Sequence, residues 1–338
     1  MKKSAIFILI IIIILSVTAC GEHNEKSSGG DLSTQEVTEI DKPNLPNEKD
    51  NKLMTPVADK FAISHDNYPR IDGSTSTLLI AGAINRAMYQ NANNENYPQE
   101  ASKTVPSYKL LIKGDVDMIL VPYASSDILK EAEERGVGLE FHPIAAEALV
   151  FITPIENKSR NISGEEIREI YLKNGIGNWS KLGGPDKKLV PICRNADSGS
   201  QSQMDNLILK GEKMHPKINK NHVELTMEGM LEQVAFYHSG GLNSKPTNSY
   251  ALGYTLYTYL RGMGKMTGID EHLKLLAFEG VMPTEESISN GSYPLADFYY
   301  AVIRKDLGRD HSARSIIKWL VSDEGRDAIR GVNLIPKE

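Results

Sequence analysis

The sequence predicts an α/β protein whose folded part forms two lobes. Short apolar segments of strand length alternate with segments of helical periodicity through most of the 338 residues, which is typical of α/β folds. The folded part, residues 61–338, is longer than one hydrophobic core usually organises, so two lobes are expected. No internal repeat and no second hydrophobic span interrupts this pattern.

The N-terminus has the features of a secretory signal. Lys2 and Lys3 precede an apolar run over residues 5–17, which is shorter than the roughly 20 residues that a membrane-spanning helix needs. The run ends in small residues followed by Cys20, which is similar to the bacterial lipobox. We therefore expect residues 1–19 to be removed and Cys20 to carry the lipid that anchors the chain to the cell membrane. An ordinary cleaved signal beside a chance cysteine is the alternative.

A tether is predicted between this anchor and the folded part. Residues 21–53 are polar, contain Gly, Ser and Pro, and lack apolar periodicity, so we assign residues 20–60 to the lipidated cysteine and a flexible leash. Loss of Lys2 and Lys3 with the signal would change the net charge from −6 to −8. An acidic protein of this kind is a poor binder of nucleic acid, and we expect a monomer.

The strands and helices are predicted from apolar period and from capping residues. The predicted strands are residues 116–121, 148–153, 189–193 and 299–303. The predicted helices are residues 78–89, 128–135, 164–173, 202–210, 227–237, 254–263 and 312–321. The third of these helices has the clearest start, because Ser163 and Glu166 have the spacing of a capping box.

Cysteine and histidine give no sign of a metal site or a catalytic thiol. Cys193 lies in a predicted strand, where it is expected to be a small buried hydrophobic residue. Cys20 is expected to carry the lipid. The chain has no CxxC motif and no metal-ligand spacing among its eight histidines. We therefore expect no metal, no cofactor and no enzymatic activity.

Two loops rich in hydroxyl groups have the chemistry of an anion site. In residues 194–200, Arg194 precedes Ser198, Gly199 and Ser200 at the start of a predicted helix. Residues 72–77 form a second Gly-Ser-Thr loop before an apolar segment. Hydroxyls, exposed main-chain N–H groups, a helix dipole and a planar guanidinium together suit one tetrahedral oxyanion. Helix capping alone is the alternative explanation for each loop.

Several short segments, in this order along the chain, resemble the phosphate-binding lipoproteins of phosphate ABC transporters, a branch of the periplasmic-binding-protein superfamily. The likeness covers roughly residues 68–336. The matching segments are residues 71–77, 113–118, 125–127, 177–184, 194–200, 251–254, 280–284, 291–295 and 320–325.

The resemblance implies the type II fold of that superfamily, with two α/β lobes, a hinge and a ligand cleft between the lobes. We place the first chain crossover near residues 148–155 and the return near residues 293–304. Lobe one is then about residues 61–150 plus 294–338, and lobe two about residues 151–293.

The resemblance also implies three groups of ligand-binding residues. The first loop supplies Ser74, Thr75, Ser76 and Thr77, and the arginine loop supplies Arg194, Ser198, Gly199 and Ser200. Another loop brings Ser102 and Thr104 towards the ligand, and Ser125 and Ser126 could add donors. Tyr254 and Trp179 match family positions, and we expect them only to pack.

A carboxylate completes the implied site, and Asp127 is the candidate. Phosphate keeps a proton near neutral pH and sulfate does not, so a fixed carboxylate can accept a hydrogen bond from phosphate alone. The family's usual aromatic-glycine stretch before this residue is replaced by residues 120–124. An exposed Asp127 that only begins the helix is the alternative.

The resulting prediction is an extracytoplasmic lipoprotein that delivers inorganic phosphate to the permease subunits of an ABC importer. Three alternatives stay open. One is a sensor or surface-interaction lipoprotein of the same fold, and another is a binder of sulfate, molybdate or tungstate. A phosphatase is the third and least favoured.

Overall fold

The computed structural model describes residues 52–240 and 246–337. The predicted signal, Cys20 and the predicted tether as far as residue 51 lie outside these residues. The described end of the predicted tether, residues 52–60, contains a short helix, Pro56–Lys60, in which Ala58 is buried. None of the helices in the described part has the length and hydrophobicity needed to cross a bilayer. The described residues belong to one compact unit, Pro46–Glu338, and the lobe boundaries near residues 150 and 294 stay a prediction.

The strands form one mixed sheet of eight and two small parallel pairs. The large sheet has the order β1-β2-β11-β3-β8-β5, and β12 and β9 also pair with β3. Its strands are β1 (Ile71–Gly73), β2 (Met118–Pro122), β3 (Leu139–Pro154), β5 (Lys188–Pro191), β8 (Ser249–Leu256), β9 (Leu273–Leu275), β11 (Ala296–Arg304) and β12 (Ile335–Pro336). The small pairs are β4 (Asn161–Ile162) with β10 (Ala277–Phe278), and β6 (Cys193–Arg194) with β7 (Val223–Glu224).

Helices cover this sheet and bury four hydrophobic clusters. The first six are α1 (Pro56–Lys60), α2 (Leu78–Met88), α3 (Thr104–Lys113), α4 (Ser126–Glu134), α5 (Gly164–Lys173) and α6 (Gly199–Met204). The others are α7 (Pro216–Asn221), α8 (Met227–Phe236), α9 (Tyr257–Thr267), α10 (Glu285–Ser289), α11 (Ser312–Leu320) and α12 (Asp323–Gly331).

The capping box at the start of α5 is confirmed. The Ser163 hydroxyl accepts a hydrogen bond from the Glu166 main-chain N–H at 3.2 Å, and the Ser163 N–H donates to the Glu166 carboxylate at 2.8 Å. Asn174 ends the helix in the left-handed conformation, with φ of 54°. The helix predicted at residues 164–173 therefore has the observed bounds, because local sequence specifies both of its ends.

Several predicted elements differ from the structure. The helix predicted at residues 254–263 begins only at Tyr257, because residues before it continue β8 within the sheet. The helix predicted at residues 202–210 begins at Gly199 and becomes a π-helical turn, Asp205–Leu209. The strand predicted at residues 189–193 divides into β5 and β6, which belong to different sheets.

Strand β3 changes partners along its length. Residues up to Ala148 pair with β11, and residues from Leu149 pair with β8 and then β9. The strand predicted at residues 148–153 is therefore only the second part of a 16-residue strand. Its first part has less regular apolar alternation, because His142 and Pro143 interrupt it.

Candidate functional site

The two predicted anion loops border one cavity of about 240 Å³. The first loop contributes Ser74, Thr75 and Ser76, and the arginine loop contributes Arg194, Ser198 and Gly199. The structure thus brings together six of the nine principal predicted site residues, although the two loops are separated by more than 100 positions. The remaining lining residues are Lys103, Thr104, Asp197, Leu225, Thr226, Met227 and Glu228.

Most of the lining residues belong to the first turns of helices. Lys103 is the N-cap of α3, Ser198 the N-cap of α6 and Thr226 the N-cap of α8. Ser74 is the N-cap of a 3-10 turn, Thr75–Thr77, that leads directly into α2. Main-chain N–H groups and the positive ends of helix dipoles therefore border the cavity from several sides, which favours a bound anion.

Arg194 is a buried cation that forms no salt bridge with the residues that the structure describes. Its side chain lies on β6 and is only 6% exposed. Nε donates to the Glu224 carbonyl at 3.1 Å and one terminal nitrogen approaches the Leu225 carbonyl at 3.4 Å. Nη1 has no hydrogen-bond partner among the described residues. Burial lowers the pKa of Arg194 from its usual value, and the charges of Glu224 and Glu228 only partly oppose that shift.

A second donor that has no partner among the described residues lines the same cavity. The Thr104 side chain is 1% exposed, and its hydroxyl has no partner within the part of the chain that the structure describes. Gly199 lies directly against Thr104, because a Cβ atom built there would come within 2.9 Å of the hydroxyl oxygen and 2.8 Å of Pro122 Cγ. Glycine at this position therefore lets the arginine loop approach α3 closely.

The first loop uses its hydroxyls in two different ways. Ser74 Oγ and Ser76 Oγ lie 2.9 Å apart at the cavity. The buried Thr77 hydroxyl instead bonds to the main chain of Ser74 and to the Leu120 carbonyl, and Thr77 does not line the cavity. Its predicted ligand role stays a prediction, because its hydroxyl already bonds to the main chain.

Asp72 ties the loop before α3 to the first anion loop. Its carboxylate accepts from the Ser102 N–H at 3.1 Å and from the Ser107 hydroxyl at 3.0 Å. Between them, Lys103 has φ of 77° and ψ of 167°, a conformation that strongly favours glycine. Such strain costs on the order of 1–3 kcal/mol and is typical of functional sites. Ser102 itself is exposed and does not line the cavity.

The arginine loop serves both as a helix cap and as cavity wall. Ser198 Oγ accepts from the Gln201 N–H at 3.1 Å, as helix capping requires, and the same residue borders the cavity. Ser200 is buried with its hydroxyl 3.4 Å from that of Ser198, and it is not a lining residue. Capping and anion binding are therefore compatible uses of one loop, and a ligand role for Ser200 stays a prediction.

Asp127 lies away from the cavity. It is an exposed residue in the first turn of α4, and neither Asp127 nor its neighbours Ser125 and Ser126 line the cavity. The predicted ligand roles of these three residues stay predictions. The carboxylates that do border the cavity are Asp197 and Glu228, both of them exposed.

Sequence reasoning missed two contributors. Helix α8 was predicted, but nothing in the sequence indicated that residues 225–228 would complete the cavity wall. Tyr254, which was expected only to pack, accepts a hydrogen bond from the Arg194 main-chain N–H at 2.9 Å. The sequence signal that could have indicated a role for Tyr254 was its match to a family position. No group of three metal-ligating side chains is found in residues 52–240 and 246–337.

Cys193 has the predicted buried role. It precedes Arg194 on β6, is 1% exposed, and burial raises the pKa of its thiol to about 11. A thiol with so high a pKa is a poor nucleophile at neutral pH.

Comparisons with known proteins find a matching family model and a related phosphate-binding protein. The family model described as a PBP superfamily domain matches residues 62–324. The phosphate-binding protein PstS of Borreliella burgdorferi is 28% identical over 210 residues, which cover 62% of this chain and 69% of that protein.

Two solved structures share the fold. One is a substrate-binding protein from Clostridium perfringens solved with bound phosphate, with a TM-score of 0.58, 22% identity and coverage of 79% of this chain and 98% of the other. The second is an ABC-type phosphate transport receptor from Vibrio cholerae, with a TM-score of 0.56, 21% identity and coverage of 78% and 98%. These likenesses confirm the predicted two-lobed α/β fold.

Proposed function

Because the chain belongs to the PBP superfamily, we propose that it is an extracytoplasmic solute-binding protein that captures inorganic phosphate for an ABC importer. The observation that carries this proposal is the buried Arg194, whose Nη1 has no partner among the described residues. A buried cation that forms no ion pair is costly, and a bound oxyanion would supply that ion-pair partner.

The cavity chemistry favours a small tetrahedral oxyanion over a larger organic acid. Most of its polar groups are hydroxyls and helix N-termini, which can surround several oxygens of one anion. Its volume, about 240 Å³, is small, and few apolar side chains line it.

Phosphate is the anion that the relatives support. The curated relative is named a phosphate-binding protein, and the two solved structures come from phosphate transport or contain bound phosphate. Binding and release, without a chemical step, is the activity proposed.

The test is calorimetric titration of the mature domain, freed of endogenous anion, with phosphate, sulfate, molybdate and tungstate. We expect tight binding of phosphate. Arg194→Lys should weaken it by roughly ten- to a hundredfold, because an ammonium group cannot replace a planar fork that contributes about 1.5–3 kcal/mol. Arg304→Lys, a matched change at a partly buried arginine that is paired with Asp306 and does not line the cavity, should leave affinity unchanged.

The outcomes separate the alternatives. Tight binding of another oxyanion with no response to phosphate would replace the proposed ligand and keep the site. Unchanged phosphate affinity in folded Arg194→Lys protein would contradict the site itself. A sensor or surface-interaction role would be favoured if phosphate bound but a strain lacking the protein imported phosphate normally. Release of phosphate from model esters would favour the phosphatase.

We further propose that Cys20 anchors a monomeric protein to the outer face of the cell membrane through a lipid. Support comes from the sequence before Cys20 and from the polar residues that follow it. Cys20→Ala should release the protein from the membrane fraction while phosphate affinity stays the same, as fractionation and calorimetry would measure. A variant that remained in the membrane fraction would show that residues 5–17 act as an uncleaved anchor.

A further inference from the structure

A hydrogen-bonded relay leads from the arginine loop to a carboxylate outside the cavity. The Arg194 main-chain N–H donates to the Tyr254 hydroxyl oxygen at 2.9 Å, and the Tyr254 hydroxyl donates to Gln201 Oε1. Gln201 Nε2 then donates to Asp205 Oδ1 at 2.9 Å. The four residues lie on β6, β8, α6 and the π-helical turn, and Tyr254 is fully buried.

The chemistry of its ends fixes the direction of this relay. A main-chain N–H can only donate, so the Tyr254 oxygen must accept from Arg194 and use its own proton elsewhere. That proton requires an acceptor, which makes the Gln201 oxygen face Tyr254 and its amide nitrogen face Asp205. The Asp205 carboxylate, as an acceptor, holds the amide in this orientation.

Without an acceptor at position 205, this orientation loses one of its two supports and is held only by the bond from Tyr254. A reversed Gln201 amide would direct its N–H at Tyr254, whose oxygen already accepts from Arg194. The hydroxyl proton of Tyr254 would then have no partner in a fully buried position, which is costly. Movement of the main chain at Arg194 would relieve this cost, and movement there displaces the guanidinium.

We propose that Asp205 is a positioning residue for the anion site, which through Gln201 and Tyr254 fixes the main chain of Arg194. This inference rests on the proposed function for its ligand and adds a residue that does not line the cavity. Sequence position alone does not indicate it, because Asp205 lies 11 residues after Arg194 and the relay passes through Tyr254 on a distant strand.

The test compares Asp205→Ala with Asp205→Asn. Asparagine keeps an acceptor oxygen, so we expect phosphate affinity within about twofold of the wild type. Alanine removes the acceptor, and affinity should fall about five- to tenfold, the effect of losing one hydrogen bond of about 1 kcal/mol. Glu212→Ala, an exposed acidic residue on the following segment, should bind as the wild type does.

A double-mutant cycle separates the relay from a general structural effect. In Tyr254→Phe protein the relay is cut before Gln201, so adding Asp205→Ala should lower affinity no further. Additive losses would overturn the proposal, and so would unchanged affinity in folded Asp205→Ala protein.

A measurement without ligand keeps this inference distinct from the proposed function. In the NMR spectrum of the phosphate-free protein, the Arg194 amide resonance should shift in Asp205→Ala and stay in place in Asp205→Asn. Absence of that shift would overturn the relay. If the wild type bound no phosphate while the shift occurred, the proposed ligand would be wrong and the relay would stand.

Discussion

Two buried side chains at the cavity carry donors that no described protein group satisfies, Arg194 Nη1 and the Thr104 hydroxyl. Most buried polar groups in proteins have partners, so each exception has a cost that something must offset. Arg194 lies on β6 and Thr104 is the first residue of α3, and both residues border the same cavity. A shared ligand explains both exceptions at once, whereas helix capping explains neither.

The first prediction concerns Thr104→Val, which removes an unpartnered hydroxyl and keeps the side-chain shape. The phosphate-free protein should become more stable by about 1 kcal/mol, because a buried unsatisfied group is lost. Phosphate affinity should fall about tenfold, because the ligand loses a donor. Thermal unfolding and calorimetry measure the two effects.

Thr255→Val is the matched control for that change. The Thr255 hydroxyl is also buried and has no partner in residues 52–240 and 246–337, and it lies on β8 without lining the cavity. We expect a similar gain in stability and no change in affinity. A Thr104→Val protein that bound phosphate like the wild type would exclude this hydroxyl from the site.

At the scale of elements, the anion site depends on how closely helix starts approach one another. The sequence predicted α2, α5, α8 and α11 well, because their caps and apolar periods are local features. It missed α3, whose segment contains Pro106 and begins at a strained lysine. The residues on either side of Lys103 are held by Asp72, which accepts from the Ser102 N–H and the Ser107 hydroxyl, and these contacts exist only in the folded chain.

Gly199→Ala tests this close approach. A Cβ atom on residue 199 would lie 2.8 Å from Pro122 Cγ and 2.9 Å from the Thr104 hydroxyl oxygen. Overpacking of this kind lowers the free energy of unfolding by about 1–3 kcal/mol. We expect lower stability together with weaker phosphate binding, because the arginine loop must move away from α3.

Gly262→Ala provides the opposite case. Gly262 lies within α9, where an added Cβ meets nothing within 4 Å. Alanine there should raise stability by about 0.5–1 kcal/mol, through helix propensity, with no effect on affinity. If both variants bound phosphate equally well, the contact between Gly199 and α3 would not shape the site.

At the scale of the whole molecule, strand β3 links the two sets of sheet partners. Glu147 lies where the partners change, is 2% exposed, and accepts hydrogen bonds from the main chain of Ala148 and from the N–H and hydroxyl of Thr258. Burial raises the pKa of its carboxyl. No local pattern marks Glu147 in the sequence, since its partner Thr258 lies 111 positions away.

Long sequence separation between contacting residues also limits what the sequence reveals of the site. The hydroxyl loops and Arg194 were predictable, because their residue types directly indicate anion chemistry. The relay through Tyr254 was not, since its members meet only when β6, β8 and α6 pack together. The ordered segments that resemble a known family predicted the overall fold, and local periodicity alone could not.

Global stability should depend on pH through Asp205. Burial raises the pKa of this carboxyl to about 6, the Gln201 hydrogen bond opposes the rise, and the nearby Asp127 charge adds to it. Because the folded pKa lies above the usual value, ionisation disfavours the folded state. The stability that the neutral carboxyl contributes is therefore present below about pH 4 and is lost as pH rises through about 6.

Asp205→Asn should remove this dependence, because asparagine resembles the neutral acid at every pH. At pH 8 the variant should be more stable than the wild type by on the order of 2 kcal/mol, and the difference should shrink as pH falls towards 4. Thermal unfolding of both proteins from pH 4 to pH 8 measures the difference, in which the titration of all other groups largely cancels. A constant difference across that range would show that Asp205 does not titrate there. A wild type more stable than the variant at pH 8 would mean that the Gln201 bond to the ionised carboxylate outweighs the cost of its burial.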